Sequence, residues 1–144
     1  MSDVTVDSID HAGDAGFVLT APTLTRLFTA CAEEMTRLAC PTGEVRRALA
    51  RPIEAEGFDL TELLVNWLSE INGLANAHRE LYGHFCVDDL SRADRGCSIR
   101  GHADGEPLDL ARHCVAREIK AVTFHEAEVR EADGGWSARV IFDL

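Results

Sequence analysis

Two segments with the spacing of an amphipathic helix constrain the fold of this chain more than any other feature. In the longer one, LTELLVNWLSEINGLANA, apolar side chains recur every three or four residues, at Leu60, Leu63, Leu64, Trp67, Leu68, Ile71 and Leu74. The shorter one repeats this spacing at Leu24, Leu27, Phe28, Cys31, Met35 and Leu38. Each predicts a helix with one apolar face on the core. Thr23 and Asp59 are the predicted N-caps, and Cys40-Pro41 closes the first helix.

The rest of the chain reads mainly as strands. The seven candidate strands are 4–9, 15–20, 85–89, 97–103, 118–124, 127–131 and 136–142, and the segment 45–56 also looks extended. Pro52 suits an edge strand, and Asp133-Gly134-Gly135 predicts a tight hairpin turn. We therefore expect an α+β fold, a two-layer sandwich with both amphipathic helices on one face of a mostly antiparallel sheet.

Length and composition limit the broad class. A chain of 144 residues predicts one domain spanning 1–144, and 46% hydrophobic residues are ordinary for a soluble globule. No apolar run approaches the roughly 20 residues of a membrane span, and the start MSDVTVDSID lacks a basic, hydrophobic leader. These features predict a cytoplasmic protein without a membrane partner. Five cysteines without a CxxC pair argue against a disulfide framework or a structural zinc site.

The charge balance favours some partners over others. The net charge of −11 repels phosphate backbones, so we expect no direct binding to nucleic acid. A basic protein surface or a metal cation suits this chain better.

The stretch DHAGD and the end of the chain suggest a metal site. Asp14 follows a turn of small residues, Asp143 is the penultimate residue, and Leu144 carries an α-carboxylate. If the first and last strands are neighbours, these groups converge on one point. Ca²⁺, Mg²⁺ and Mn²⁺ prefer such oxygen ligands, at about 2.0–2.6 Å. His11 has two interpretations, an imidazole bonded to backbone or a group that orients a carboxylate.

Five segments in the same order resemble the archease family. DHAGD resembles DHTAD, LLVNWLSEI looks like LLVDWLNEL, GEPLDLARH resembles GEPLDPERH, and EIKAVTFH is similar to EVKAVTYH. The close, GGWSARVIFDL, looks like an archease C-terminus, which ends on an Asp and one aliphatic residue. The resemblance extends over essentially the whole chain.

The resemblance implies a function and a set of site residues. Archeases are small accessory proteins of the RtcB-type RNA ligase, which joins tRNA halves or broken RNA ends. They promote guanylylation of the ligase and sustain its turnover, and they are not themselves enzymes. The family's divalent-metal positions fall on Asp14, Asp143 and Leu144. Lys120, the single lysine, and Asp10 together with His11 become candidates for orienting the site or facing a partner, although a structural salt bridge explains Lys120 equally well.

Departures from the family pattern leave some properties open. Ala12 and Gly13 replace Thr and Ala, Asn66 replaces an acid, and Phe124 replaces Tyr. The metal-binding acids are retained, so these departures concern binding affinity and the fit to a partner.

Two other functions remain alternatives. One is a general chaperone or acidic interaction module with an incidental metal site. The other is a metal-dependent hydrolase, for which His11 and His125 are the available bases and HExxH, P-loop and GxSxG motifs are lacking.

Overall fold

The structure of the protein, a computed structural model, describes residues 3–41 and 44–144, except for the side chain of His11. The described residues form two helices and seven strands in the order β1 (Thr5–His11), β2 (Asp14–Ala21), α1 (Leu24–Ala39), β3 (Leu49–Gly57), α2 (Leu60–His78), β4 (Glu80–Ala93), β5 (Gly96–Pro107), β6 (Ala121–Ala132) and β7 (Gly135–Asp143). The α+β class with two helices on antiparallel strands is confirmed. Neither helix is long and apolar enough to cross a membrane.

The strands of the described residues form two antiparallel sheets rather than the single sheet that we expected. One has the order β1-β2-β7-β6, and the other has the order β3-β5-β4. Helix α1 packs on β2, β7 and β4, and α2 packs on β3, β4, β5 and β6, so that each helix contacts both sheets. The helices therefore join the two sheets around one core.

Both helices begin where their capping residues predict. The side chain of Thr23 accepts a hydrogen bond from the Arg26 N–H at 3.2 Å, and Asp59 Oδ1 accepts one from the Glu62 N–H at 2.8 Å. The indole N–H of Trp67 donates to the Phe28 carbonyl at 3.2 Å, which fixes α2 against α1. These contacts satisfy polar groups that would otherwise be costly to bury.

Three strand predictions need correction. The candidates 118–124 and 127–131 are one strand, β6, interrupted by a register shift between Thr123 and Glu128. Glu126 has a φ of 53° within this bulge, so a break in the extended pattern was mistaken for a break between strands. Strands β4 and β5 extend well beyond 85–89 and 97–103 because they form one long hairpin closed by a turn at Asp94 and Arg95. The segment 45–56 becomes a strand only at Leu49, and Pro52 lies in the predicted edge strand.

Candidate metal centre at the chain termini

The DHAGD stretch forms the turn of the first hairpin. His11 pairs with Asp14 across β1 and β2, so only Ala12 and Gly13 lie in the loop. Gly13 has a φ of 81°, the conformation of the third residue of a type II turn. A Cβ at this position would meet no atom within 4 Å, so backbone conformation rather than space favours glycine here. The turn brings the chain back directly into the central strand pair of the sheet.

The pairing of β7 with β2 brings Asp143 and Leu144 to the same place. Strands β2 and β7 are antiparallel neighbours, and Asp14 is the register partner of Asp143. The N–H of Leu144 donates to the carbonyl oxygen of Gly13 at 3.1 Å. This bond joins the residue after Asp143 to the residue before Asp14. In an antiparallel sheet, that pattern makes Asp14 and Asp143 a non-hydrogen-bonded pair. Such pairs have the closest side chains, with Cα atoms about 4.5 Å apart.

The two carboxylates extend from the same face of the sheet. Residues opposite each other in a register share a face, and neighbours along a strand alternate. Ala15 and Phe142, which are also register partners, are buried against the core. Asp14 and Asp143 therefore extend from the opposite, outer face, where Asp14 is half-buried and Asp143 is exposed.

Among the described side chains, which do not include that of His11, no hydrogen bond or ion pair engages Asp14 or Asp143. Two adjacent anionic groups without a positive partner repel each other, and a cation would relieve this repulsion. The donors that Asp14 and Asp143 offer on the two strands are carboxylate oxygens. This donor set fits a hard divalent cation such as Ca²⁺, Mg²⁺ or Mn²⁺ and offers no soft ligand.

Of the other candidates, Asp10 lies away from this pair of acids. It is the register partner of Ala15, on the helix-facing side of the sheet. Its Oδ2 accepts from Nη2 of Arg117 at 3.4 Å, and the Arg117 N–H donates to the carbonyl of Ala39 at the end of α1. Asp10 therefore belongs to a contact between the turn and α1. His11 is the register partner of Asp14 on β1, and its side chain lies outside the described part of the structure.

Lys120 touches the site through its backbone. Its N–H donates to the carbonyl of Asp143 at 2.9 Å, and the next residue, Ala121, is the register partner of Asp143. The Lys120 side chain is exposed, and no ion pair forms with it among the described residues. Its ammonium is therefore free to serve a partner molecule or to compensate the nearby acids.

The GEPLDLARH segment is built around a buried carboxylate. Glu106 accepts from the Arg46 N–H at 2.6 Å, pairs with the Arg112 guanidinium, and lies 3.3 Å from Nε2 of the buried His113. The Arg46 N–H, followed by the Arg112 and His113 side chains, lowers the pKa of Glu106 to about 2. The motif is thus a structural element that fixes the loop 108–120, which leads directly to Lys120 and β6.

Sequence reasoning missed two features of the described residues. One is the pair Asp10–Arg117, for which no local signal exists because the partners are far apart in sequence. The other is a group of metal-ligating side chains, Cys86, Asp88 and His102, on β4 and β5. The alternation Cys86-x-Asp88 within a predicted strand was a readable signal for that group.

Comparisons with known proteins agree with this architecture. The model of the Archease protein family matches residues 7–144. The chain is 38% identical over 138 residues to "Protein archease" of Methanopyrus kandleri, covering 96% of this chain and 98% of that protein. It is 32% identical to "Protein archease" of Methanosarcina acetivorans, covering 94% and 93%. The solution structure of Methanobacterium thermoautotrophicum protein 1598 superposes with a TM-score of 0.80 at 31% identity, covering 96% and 98%.

Proposed function

The chain belongs to the archease family, and from that premise we propose that it is a non-enzymatic protein cofactor of an RtcB-type RNA ligase. In this function it promotes guanylylation and multiple turnover of the ligase during tRNA splicing or RNA repair. It acts through one divalent cation held by Asp14, Asp143 and the α-carboxylate of Leu144.

One observation carries the proposal. Asp14 and Asp143 form a close cross-strand pair, and the Leu144 N–H is bonded to the Gly13 carbonyl in the turn beside Asp14. Carboxylates from distant parts of the chain are thus collected on a rigid strand pair. A fold needs no such pair for its own stability, because like charges directly opposite each other are unfavourable. A ligand that gains from them is the simplest reason for the arrangement.

The charge of the whole molecule agrees with a protein partner. The net charge of −11 disfavours independent capture of RNA and favours association with a basic surface. Because a ligase must bind RNA and nucleotide phosphates, the mouth of its active site is expected to be basic. The acidic end of the sheet is complementary to such a mouth, and the exposed Lys120 beside it could contact a phosphate held there.

Within this proposal, Asp14 and Asp143 hold and orient the cation, and the strand pair fixes their separation. When bound, the cation would supply positive charge beside a nucleotide phosphate, which favours transfer of the guanylyl group to the ligase. The loop 108–120 contributes by holding Lys120 at the C-terminal end of β7. The chain itself supplies no nucleophile in this scheme.

The test is RNA joining by the organism's own ligase, under single-turnover and multiple-turnover conditions, with purified variants of this protein. Asp14→Asn and Asp143→Asn keep the side-chain shape, remove the charge and are expected to lose the stimulation. Asp7→Asn is the matched control, because it removes one charge from an exposed position of the neighbouring strand. Stimulation by both site variants equal to that of the wild type would contradict the proposed mechanism.

A further inference from the structure

A mixed set of metal-ligating side chains lies on the solvent face of the three-stranded sheet, remote in the fold from Asp14 and Asp143. Cys86 on β4 is the register partner of His102 on β5. The register shifts between Val87 and Asp89, so Asp88 is the extra residue of a β-bulge. A bulge bends the strand and redirects a side chain. Here it leaves Asp88 beside both Cys86 and His102.

The donor atoms of this group, which we call the Cys86 cluster (Cys86, Asp88 and His102), lie close enough together to reach one ion. One donor atom of each residue lies within 4.8 Å of the other two. Cys86 Sγ is 3.7 Å from Asp88 Oδ1, and His102 Nδ1 is 3.6 Å from Asp88 Oδ2. A tetrahedral site with ordinary zinc–ligand distances requires about 3.5 Å between sulfur and oxygen and about 3.3 Å between nitrogen and oxygen. Small rotations of these side chains would close the difference.

A fourth residue is positioned to orient the imidazole. Asp104 lies two residues after His102 on the same strand face, and its Oδ1 is 3.9 Å from Nε2 of His102. Metal-binding histidines commonly direct the ring nitrogen that does not bind metal at a carboxylate, which fixes the tautomer. With Nε2 directed at Asp104, the lone pair of Nδ1 points into the Cys86 cluster.

The surroundings favour a cation. Within residues 3–41 and 44–144, His102 is the only ion-pair partner of Asp88 and Asp104. The Asp88 and His102 side chains are 47% and 39% exposed, so an ion can enter and keep a water molecule as its fourth ligand.

We propose that Cys86, Asp88 and His102 form a second cation site, selective for a zinc-class divalent transition metal, with Asp104 as the residue that positions His102. Thiolate and imidazole ligands favour Zn²⁺ and its neighbours, whereas the all-oxygen donors at the termini favour Ca²⁺, Mg²⁺ or Mn²⁺. Binding replaces the thiol proton, which is released to solvent. The bound ion joins the bulge of β4 to β5 and so stabilises this hairpin.

The first experiment measures Zn²⁺ binding by titration calorimetry and Co²⁺ binding by absorption. We expect one Zn²⁺ per chain at this site and a near-ultraviolet thiolate-to-cobalt charge-transfer band. Cys86→Ser and Asp88→Asn are expected to weaken Zn²⁺ binding by more than about tenfold, and Cys86→Ser is expected to abolish the cobalt band. Asp104→Asn is expected to weaken binding by about 10–100-fold while the band persists at saturation. Cys114→Ser, which removes another exposed free thiol, is the matched control and should bind as the wild type does.

Controls separate this site from the termini. The double variant Asp14→Asn/Asp143→Asn should keep both Zn²⁺ binding and the cobalt band, whether or not the function proposed above is correct. Circular dichroism establishes that each variant is folded, which is expected because the altered side chains lie on the solvent face. A wild-type protein without a thiolate-to-cobalt band would overturn the proposal. So would Zn²⁺ binding that survives Cys86→Ser unchanged or disappears in the double variant.

Discussion

Replacing Asp143 with asparagine should change the stability of the protein in opposite directions with and without a divalent cation. When a chelator removes divalent cations, Asp14 and Asp143 are like charges in a non-hydrogen-bonded strand pair. Like charges directly opposite each other are destabilising, and two unit charges 4 Å apart in water repel by about 1 kcal/mol. Asp143→Asn removes this repulsion and keeps the side-chain shape. We therefore expect the variant to be more stable than the wild type by up to about 1 kcal/mol, or ~2–4 °C in Tm.

With a cation present, the order reverses. A ligand at a concentration one hundred times its Kd stabilises the folded state by about 2.7 kcal/mol. The wild type gains this stabilisation, whereas the variant loses a ligand and gains much less. We expect the wild type to become the more stable protein by roughly 1–2 kcal/mol, the difference between the two effects.

The assay is urea unfolding followed by circular dichroism, in EDTA and in excess Mn²⁺ or Ca²⁺. Asp7→Asn is the control for loss of one negative charge near the same hairpin, and it should show no reversal. An Asp143→Asn variant that is less stable than the wild type in EDTA would contradict the repulsion between Asp14 and Asp143. Equal stabilisation of both proteins by the cation would refute the reasoning as well.

Three further predictions concern the scaffold. The Asn66 amide donates a hydrogen bond to the Glu56 carbonyl at 2.7 Å. Asn66→Asp, which introduces the acid of the family pattern, removes this donor and should lower the free energy of unfolding in urea by about 1 kcal/mol. An unchanged free energy of unfolding would show that this bond does not contribute. Glu80 and Glu106 both have pKa values lowered to about 2, chiefly by the Arg51 side chain and by a backbone N–H respectively. Their contribution to the free energy of unfolding is full above their ordinary pKa of 4.5 and is lost as the pH falls towards 2, and Glu80→Gln should flatten that decline. A Cβ on Gly16 would clash with the carbonyl oxygen of Val140 on β7, so Gly16→Ala should destabilise the protein by about 1–3 kcal/mol or more, with unchanged thermal unfolding as the contrary result.

The helices and their caps could be predicted because their determinants are local. An apolar stripe every three or four residues and a capping oxygen three residues before an N–H are both visible within one turn of chain. Strand β6 was harder, because its bulge at His125 and Glu126 looks like a loop in sequence. Only pairing with β7, a non-local contact, reveals that the same strand continues beyond it.

The candidate sites differ in how much the sequence reveals. The pairing of Asp14 with Asp143 depends on β2 and β7 being neighbours, which residue spacing cannot determine. The sequence therefore raised the terminal set only on the condition that the strands are neighbours, and the family resemblance supplied the support for it. In the Cys86 cluster, the alternating residues on each strand were visible. The register that sets Cys86 opposite His102, and the bulge at Asp88, were not. Both sites are assembled across strands, and strand register is the information that the sequence alone lacks.

The most direct measurement is cation binding by the wild type and by a chain extended with two glycines after Leu144. In the extended chain, Asp14 and Asp143 are unchanged, but the α-carboxylate is moved away from the Gly13 carbonyl that anchors Leu144. Titration calorimetry with Mn²⁺ should give one ion per chain for the wild type and binding weaker by about tenfold or more, ~1.4 kcal/mol, for the extended chain. Equal affinities would contradict a site built from both ends of the polypeptide.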